Sequence, residues 1–141
     1  MADSLSAIKY AGVHPVRDET GLITELTDLV LEKACGAILG WLMRGYAVKL
    51  SVNLSGKDFE VPDRLIQRVT EVTRKYEIPP RLLELEITES MLMMDPERSR
   101  AELLNLKNAG YSLSIDDFGS GYSSLYYLKN LPVDVLKIDR A

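Results

Sequence analysis

The 141-residue sequence lacks the features of a secreted, membrane-spanning or nucleic-acid-binding protein. A single cysteine, Cys35, excludes an intramolecular disulfide. No run of about 18 apolar residues indicates a membrane span, and the N-terminus MADSLSAIKY lacks the apolar centre of a signal peptide. The net charge of −4 offers no basic patch for DNA or RNA. We therefore expect a cytoplasmic chain that binds neither DNA nor RNA and does not insert into a membrane.

Apolar residues recur with helical and strand periods in alternation along most of the chain. With 46% hydrophobic and 27% charged residues, the composition is that of a globular domain. Spacings of three and four residues predict helices, and alternation of apolar with polar residues predicts strands. The predicted helices are 22–41, 62–77, 95–110 and 123–131, and the predicted strands are 47–55, 82–90, 111–117 and 133–139.

This order predicts an α/β fold whose strands pair in parallel through right-handed crossovers. The strand ends at Asn53, Glu86 and Asp116 recur about every 30 residues, the unit length of a (β/α)8 barrel of about 250 residues. Four strands make half of such a barrel, so the prediction is a partial TIM-type barrel. The first twenty residues show no clear period. Residues 1–12 are therefore an unassigned segment, and residues 13–141 form one domain.

Polar residues stand at the C-terminal end of each predicted strand. These are Asn53, Glu86, the pair Asp116 and Asp117, and Lys137. In parallel α/β folds this edge of the sheet carries the functional site. Oxygen ligands without histidine or cysteine suit Mg²⁺ or Mn²⁺ rather than zinc. Such a set is typical of a two-metal phosphodiester hydrolase, in which Lys137 would orient the attacking water or stabilise developing charge.

Each of these residues also has a simpler interpretation. Asn53 can cap the next element, and Glu86 can be a solvated position of an amphipathic strand. Asp116 and Asp117 can form an ordinary turn, and Lys137 can be a surface lysine. The repetition of the pattern at four successive strand ends favours a functional site.

Several motifs closely resemble those of the EAL domain family, bacterial cyclic di-GMP phosphodiesterases of signal transduction with a modified (β/α)8 barrel. They are SVNLS, LELEITES and SIDDFGSGYSSLYYLKNLPVDVLKIDRA, with DETGLITELTDLVLEKAC before them. The resemblance implies that Asn53, Glu86, Asp116 and Asp117 bind metal and that Lys137 is the catalytic lysine. It also implies that Glu89 anchors a mobile loop that takes part in substrate binding. The loop residues are Phe118, Gly119, Ser120, Gly121, Tyr122, Ser123 and Ser124.

The sequence departs from the family at both ends. It contains no Glu-Ala-Leu triplet and no Glu-Gly-Val-Glu segment, each of which carries a family metal-binding glutamate. We therefore expect an EAL domain truncated at both ends, with an incomplete Mg²⁺ or Mn²⁺ site. As this chain alone, it would hydrolyse cyclic di-GMP to linear pGpG poorly or not at all. Half a barrel also exposes edges and apolar surface, which predicts a homodimer. Two alternatives stay open: a catalytically dead module that binds nucleotide or protein, and a fragment without an independent role.

Overall fold

A computed structural model of the chain describes the backbone of residues 5–10, 22–118 and 131–138, and the side chains of 25–116 and 131–137. Strands and helices alternate along these segments. The strands are β1 (Leu5–Tyr10), β2 (Val48–Asn53), β3 (Leu83–Thr88), β4 (Ser112–Phe118) and β5 (Val135–Ile138). The helices are α1 (Leu22–Met43), α2 (Arg64–Tyr76), α3 (Glu89–Met94) and α4 (Pro96–Asn108), with short 3-10 helices at Gly56–Phe59 and Pro80–Leu82.

The five strands form one parallel sheet in the order β1-β2-β3-β4-β5. In the register of the two central pairings, Ser51 lies beside Glu84, Asn53 beside Glu86, and Thr88 beside Asp116. Because all strands run the same way, their C-terminal ends meet at one edge of the sheet.

The hydrophobic core lies between one face of this sheet and the helices. Side chains alternate between the two faces of a strand, and the residues that join helix residues in the core are Leu50, Val52, Leu83, Leu85, Ile87, Leu113 and Ile115. From α1 the core receives Leu31, Ala34, Cys35 and Ile38. The opposite face, which we call the polar face, carries Ser51, Asn53, Glu84, Glu86, Ser112, Ser114, Asp116 and Lys137.

Local sequence explains where the helices begin and end. Asp95 caps α4 by accepting a hydrogen bond from the Arg98 amide at 3.3 Å, and Pro96 occupies the first turn, where no amide hydrogen is needed. Gly110 follows α4 with a φ of +100°, a conformation that glycine adopts without strain. Among the described helices, none is long and apolar enough to cross a membrane.

The predicted α/β class with parallel strands is confirmed, and the sheet has one strand more than the four predicted. This strand, β1, lies in the segment 1–12, for which the sequence predicts no element. Its residues, LSAIKY, do not alternate strictly between apolar and polar, so the period-two signal is absent. The structure also adds the short helix α3 after β3. The predicted helix at 123–131 falls almost wholly outside the described residues.

Candidate functional site

Lys137 on β5 contacts two buried glutamates of β3. Its Nζ atom lies 3.2 and 3.4 Å from the two carboxylate oxygens of Glu86 and 3.3 Å from Oε2 of Glu84. Glu86 is 1% exposed and Glu84 is 3% exposed. Buried carboxylates require a cation or several hydrogen-bond donors nearby, and Lys137 supplies the cation for both. Glu86 therefore is not a solvated position of the strand, and Lys137, although its side chain is 34% exposed, is paired with buried carboxylates.

Asn53 and Asp116 stand on the strands that flank Glu86. Asn53 ends β2 directly beside Glu86, and Asp116 lies on β4 beside Thr88, two residues beyond Glu86 along β3. Both side chains are half-buried. Asp116 and Asp117 belong to β4 rather than to a turn. The side chain of Asp117 lies outside the described part of the chain, so its predicted role as a ligand stays a prediction.

Glu84 is a member of this group that the sequence-based prediction missed. Its Oε2 atom accepts hydrogen bonds from Ser51 Oγ at 2.5 Å and Ser114 Oγ at 3.3 Å, in addition to its contact with Lys137. The available signal was the position of Glu84 two residues before Glu86, which places both carboxylates on one face of β3.

The strand β2 ends at Asn53, and a hydrogen-bonded turn at residues 55–58 follows it. Ser55, not Asn53, caps the 3-10 helix that follows, by accepting from the Lys57 amide, so the interpretation of Asn53 as a cap is wrong. Asp58 completes the turn because its Oδ2 atom accepts from the Ser55 amide at 2.8 Å and from Thr27 Oγ1 at 3.2 Å. Burial of this carboxyl raises its pKa to about 6, although both hydrogen bonds oppose the shift.

The Asp58→Asn variant should lose pH dependence of stability between about pH 4 and 6. A carboxyl whose pKa is higher in the folded state binds more protons there than when unfolded, so the wild type loses stability as the pH rises through this window. The loss is on the order of 3 kcal/mol. Asparagine keeps an acceptor for Ser55 and Thr27 but does not titrate. Urea unfolding of both proteins from pH 4 to 7 measures the difference, with Asp63→Asn, an exposed aspartate, as the control. Parallel curves for wild type and Asp58→Asn would contradict the assignment.

Glu89, the predicted loop anchor, begins α3 after β3. Thr88 caps this helix by accepting from the Met91 amide at 3.2 Å, and Glu89 is 2% exposed. Within the residues that the structure describes, its Oε2 atom has no hydrogen-bond partner. The role of Glu89 as the anchor of the loop after β4 stays a prediction. Phe118 ends β4, and the other predicted loop residues, 119–124, lie outside the described residues.

The side chains at the strand ends offer the oxygen donors that a hard divalent cation binds, but the described residues offer too few of them for a complete site. Asn53, Glu86 and Asp116 offer only oxygen, as Mg²⁺ and Mn²⁺ require. Among the described side chains, no three His, Cys, Asp or Glu are grouped closely enough to hold an ion. The residues that could hold a cation are Asn53, Glu86 and Asp116, and the sequence adds Asp117, whose side chain lies outside the described residues.

Residues 3–141 match the family model of the EAL domain. Over 126 residues the chain is 41% identical to the signaling protein YkoW of Bacillus subtilis, covering 89% of this chain and 16% of YkoW. Over 127 residues it is 42% identical to the bifunctional diguanylate cyclase/cyclic di-GMP phosphodiesterase MucR of Pseudomonas aeruginosa, covering 89% of this chain and 18% of MucR.

Solved structures resemble the fold as well as the sequence. The phosphodiesterase of MucR in complex with c-di-GMP superposes with a TM-score of 0.80 at 42% identity, covering 85% of this chain and 49% of that one. The EAL domain of Mycobacterium smegmatis DcpA gives a TM-score of 0.76 at 40% identity, covering 84% of this chain and 54% of that one. The chain thus spans about half of these solved structures and less than a fifth of the two curated relatives. The predicted partial barrel is confirmed.

Proposed function

Because the chain belongs to the EAL domain family, we propose that its polar face is part of a site for metal-dependent hydrolysis of cyclic di-GMP. The observation that carries the proposal is the contact of Lys137 on β5 with Glu86 on β3, the strand that lies between those of Asn53 and Asp116. These residue types sit where parallel α/β folds place their reactive groups. Named relatives act on this nucleotide: MucR is described as a cyclic di-GMP phosphodiesterase.

In the proposed reaction, water attacks one phosphorus of cyclic di-GMP. The oxygen of water bonds to phosphorus, the bond to the ribose 3′ oxygen breaks, and that oxygen takes a proton, leaving linear pGpG with a 5′-phosphate. Lys137 donates a hydrogen bond to the water and so orients it. Asn53, Glu86, Asp116 and Asp117 would hold Mg²⁺ or Mn²⁺, which when bound supplies Lewis-acid activation and neutralises phosphate charge. Glu89 would hold the loop 118–124 over the nucleotide.

A binding module without hydrolysis is the second candidate. It is favoured by the absence of the Glu-Ala-Leu and Glu-Gly-Val-Glu glutamates from these 141 residues. Both candidates require cyclic di-GMP to bind near the polar face. They differ in whether the nucleotide is opened. The cytoplasmic location stays a prediction for either.

Calorimetric titration with Mn²⁺ tests the proposed cation site. We expect weak binding by the wild type and a loss of at least about tenfold in affinity for Asp116→Asn, which removes a charged ligand and keeps the side-chain size. Asp63→Asn is the matched control, because Asp63 lies outside the polar face at the start of α2. Equal titrations for wild type and Asp116→Asn would show that the cation does not bind where we propose.

Self-association through the open edges of the sheet is a further part of the proposal. In the described sheet β1 and β5 are the edge strands, and Val135 and Leu136 on β5 are 38% and 43% exposed. Exposed strand edges with apolar side chains pair readily with another chain. We expect a dimer in sedimentation measurements over a dilution series and a shift toward monomer in Leu136→Lys. Val61→Lys, at an exposed residue outside the sheet, should leave the mass unchanged. A monomeric wild type at micromolar concentration would contradict the proposal.

A further inference from the structure

The geometry points to Glu84 as the positioning residue that holds the ammonium group of Lys137 in place. Glu84 lies within the LELEITES segment, but the family resemblance assigns it no role and the proposed reaction does not use it. The inference rests on the proposed function in one respect only, namely that Lys137 is the residue whose position matters for the reaction. The contacts that carry it belong to the described residues and require neither cation nor nucleotide.

Among the described residues, three side chains donate hydrogen bonds to Glu84, and all three bonds go to the same oxygen atom. Ser51 on β2 donates to Oε2 at 2.5 Å, Ser114 on β4 donates at 3.3 Å, and Lys137 donates at 3.3 Å. Ser51 and Ser114 are both completely buried. Two serines from flanking strands therefore fix the carboxylate on the central strand, and a fixed carboxylate restricts the long side chain of Lys137.

Glu86 cannot perform this task alone if it also binds a cation. The side chain of Lys137 is 34% exposed, and a lysine has a flexible four-carbon chain that points wherever its partners hold it. Lys137 lies within 3.4 Å of oxygens from both glutamates. A divalent cation on Glu86 would compete with the ammonium group for that carboxylate. Glu84 lies two residues earlier on β3, away from the proposed cation ligands at the strand ends, and keeps Lys137 beside Glu86.

Proton exchange at the ammonium group of Lys137 distinguishes positioning from simple burial. Nuclear magnetic resonance of protein labelled at lysine nitrogen measures how fast these protons exchange with water, and Lys137→Arg assigns the signal. We expect exchange about tenfold faster in Glu84→Gln, the change that corresponds to losing a charge-assisted hydrogen bond. Glu102→Gln is the control and should leave the rate unchanged. Glu102 is also a buried glutamate, but it accepts a hydrogen bond from the Asp63 amide. The measurement is made without cation or nucleotide, so failure of the proposed function does not affect it.

The inference is overturned if Glu84→Gln leaves the exchange rate of Lys137 unchanged, whether or not Glu86→Gln raises it. It is also overturned if Glu102→Gln raises the rate as much as Glu84→Gln does, since any buried glutamate would then suffice. Should Glu84→Gln fail to fold, Ser51→Ala provides the test. This variant keeps the carboxylate and removes its 2.5 Å hydrogen bond, and we expect exchange to become about twofold to threefold faster. An unchanged rate in Ser51→Ala would then overturn the inference.

Discussion

Purified alone and saturated with Mn²⁺, the 141-residue chain should hydrolyse cyclic di-GMP at least about a thousandfold more slowly than a complete EAL domain. Under the proposed function, the residues of the polar face supply only one side of the site. The glutamates of the Glu-Ala-Leu and Glu-Gly-Val-Glu motifs do not occur in these residues. Losing the cation that activates water, or the one that stabilises the leaving oxygen, removes several kcal/mol of transition-state stabilisation. Each ~1.4 kcal/mol is tenfold in rate, which gives the expected deficit.

Dimerisation would not restore this activity. A second copy can pair with the exposed edges of β1 or β5 and can cover Leu136. It contributes another set of the same side chains, because both chains have one sequence. The charges show the same deficit: the proposed ligands Glu86, Asp116 and Asp117 would bring three negative charges, whereas two divalent ions carry four positive charges.

Chromatographic measurement of linear pGpG tests the predicted slow hydrolysis, with the phosphodiesterase of MucR as the positive control. The Lys137→Ala variant sets the background for this chain. Turnover in the ordinary enzyme range of about 1–10³ s⁻¹, abolished by Lys137→Ala, would contradict the prediction. It would mean that other groups act in place of the two absent glutamates. A rate equal to that of Lys137→Ala, combined with nucleotide binding, would instead favour the binding module.

The sequence predicts the elements whose residues carry a strong period, and these include the strands that hold the candidate site. The predicted strand 47–55 corresponds to β2, and the predicted helix 95–110 corresponds to α4. β1 was missed because LSAIKY lacks strict alternation, and a strand of this kind is stabilised by its pairing with β2. Tertiary pairing is not visible in a single segment.

The role of Glu84 could not be predicted for a related reason. In the sequence, Glu84 and Glu86 look alike, as two carboxylates of one alternating strand. Their difference arises from partners elsewhere in the chain, since Lys137 lies 53 positions beyond Glu84 and Ser51 lies 33 positions before it. Asp58 is similar, because its high pKa depends on burial beneath α1 and not on its neighbours in sequence.

The Lys137→Met variant should lose about 3 kcal/mol of the free energy of unfolding, although Lys137 is one-third exposed. Lys137 is the ammonium group in contact with both Glu84 and Glu86, which are 3% and 1% exposed. Removing one partner of a buried ion pair costs about 3–5 kcal/mol, because the remaining charge stays buried. We take the lower end of this range because solvent reaches the side chain of Lys137.

Adding Glu84→Gln to Lys137→Met should recover part of that loss. The double variant retains one of the two neighbouring carboxylates and so removes their mutual repulsion, while glutamine still accepts a hydrogen bond from Ser51. Urea unfolding at pH 7 of the wild type, both single variants and the double variant measures the coupling. Lys75→Met is the control, since Lys75 forms its ion pair with Glu32 on the helical surface, where such pairs contribute little. If Lys137→Met is no less stable than Lys75→Met, the two glutamates do not depend on Lys137. If the loss of unfolding free energy in the double variant equals the sum of the losses in the two single variants, Lys137 and Glu84 are not coupled.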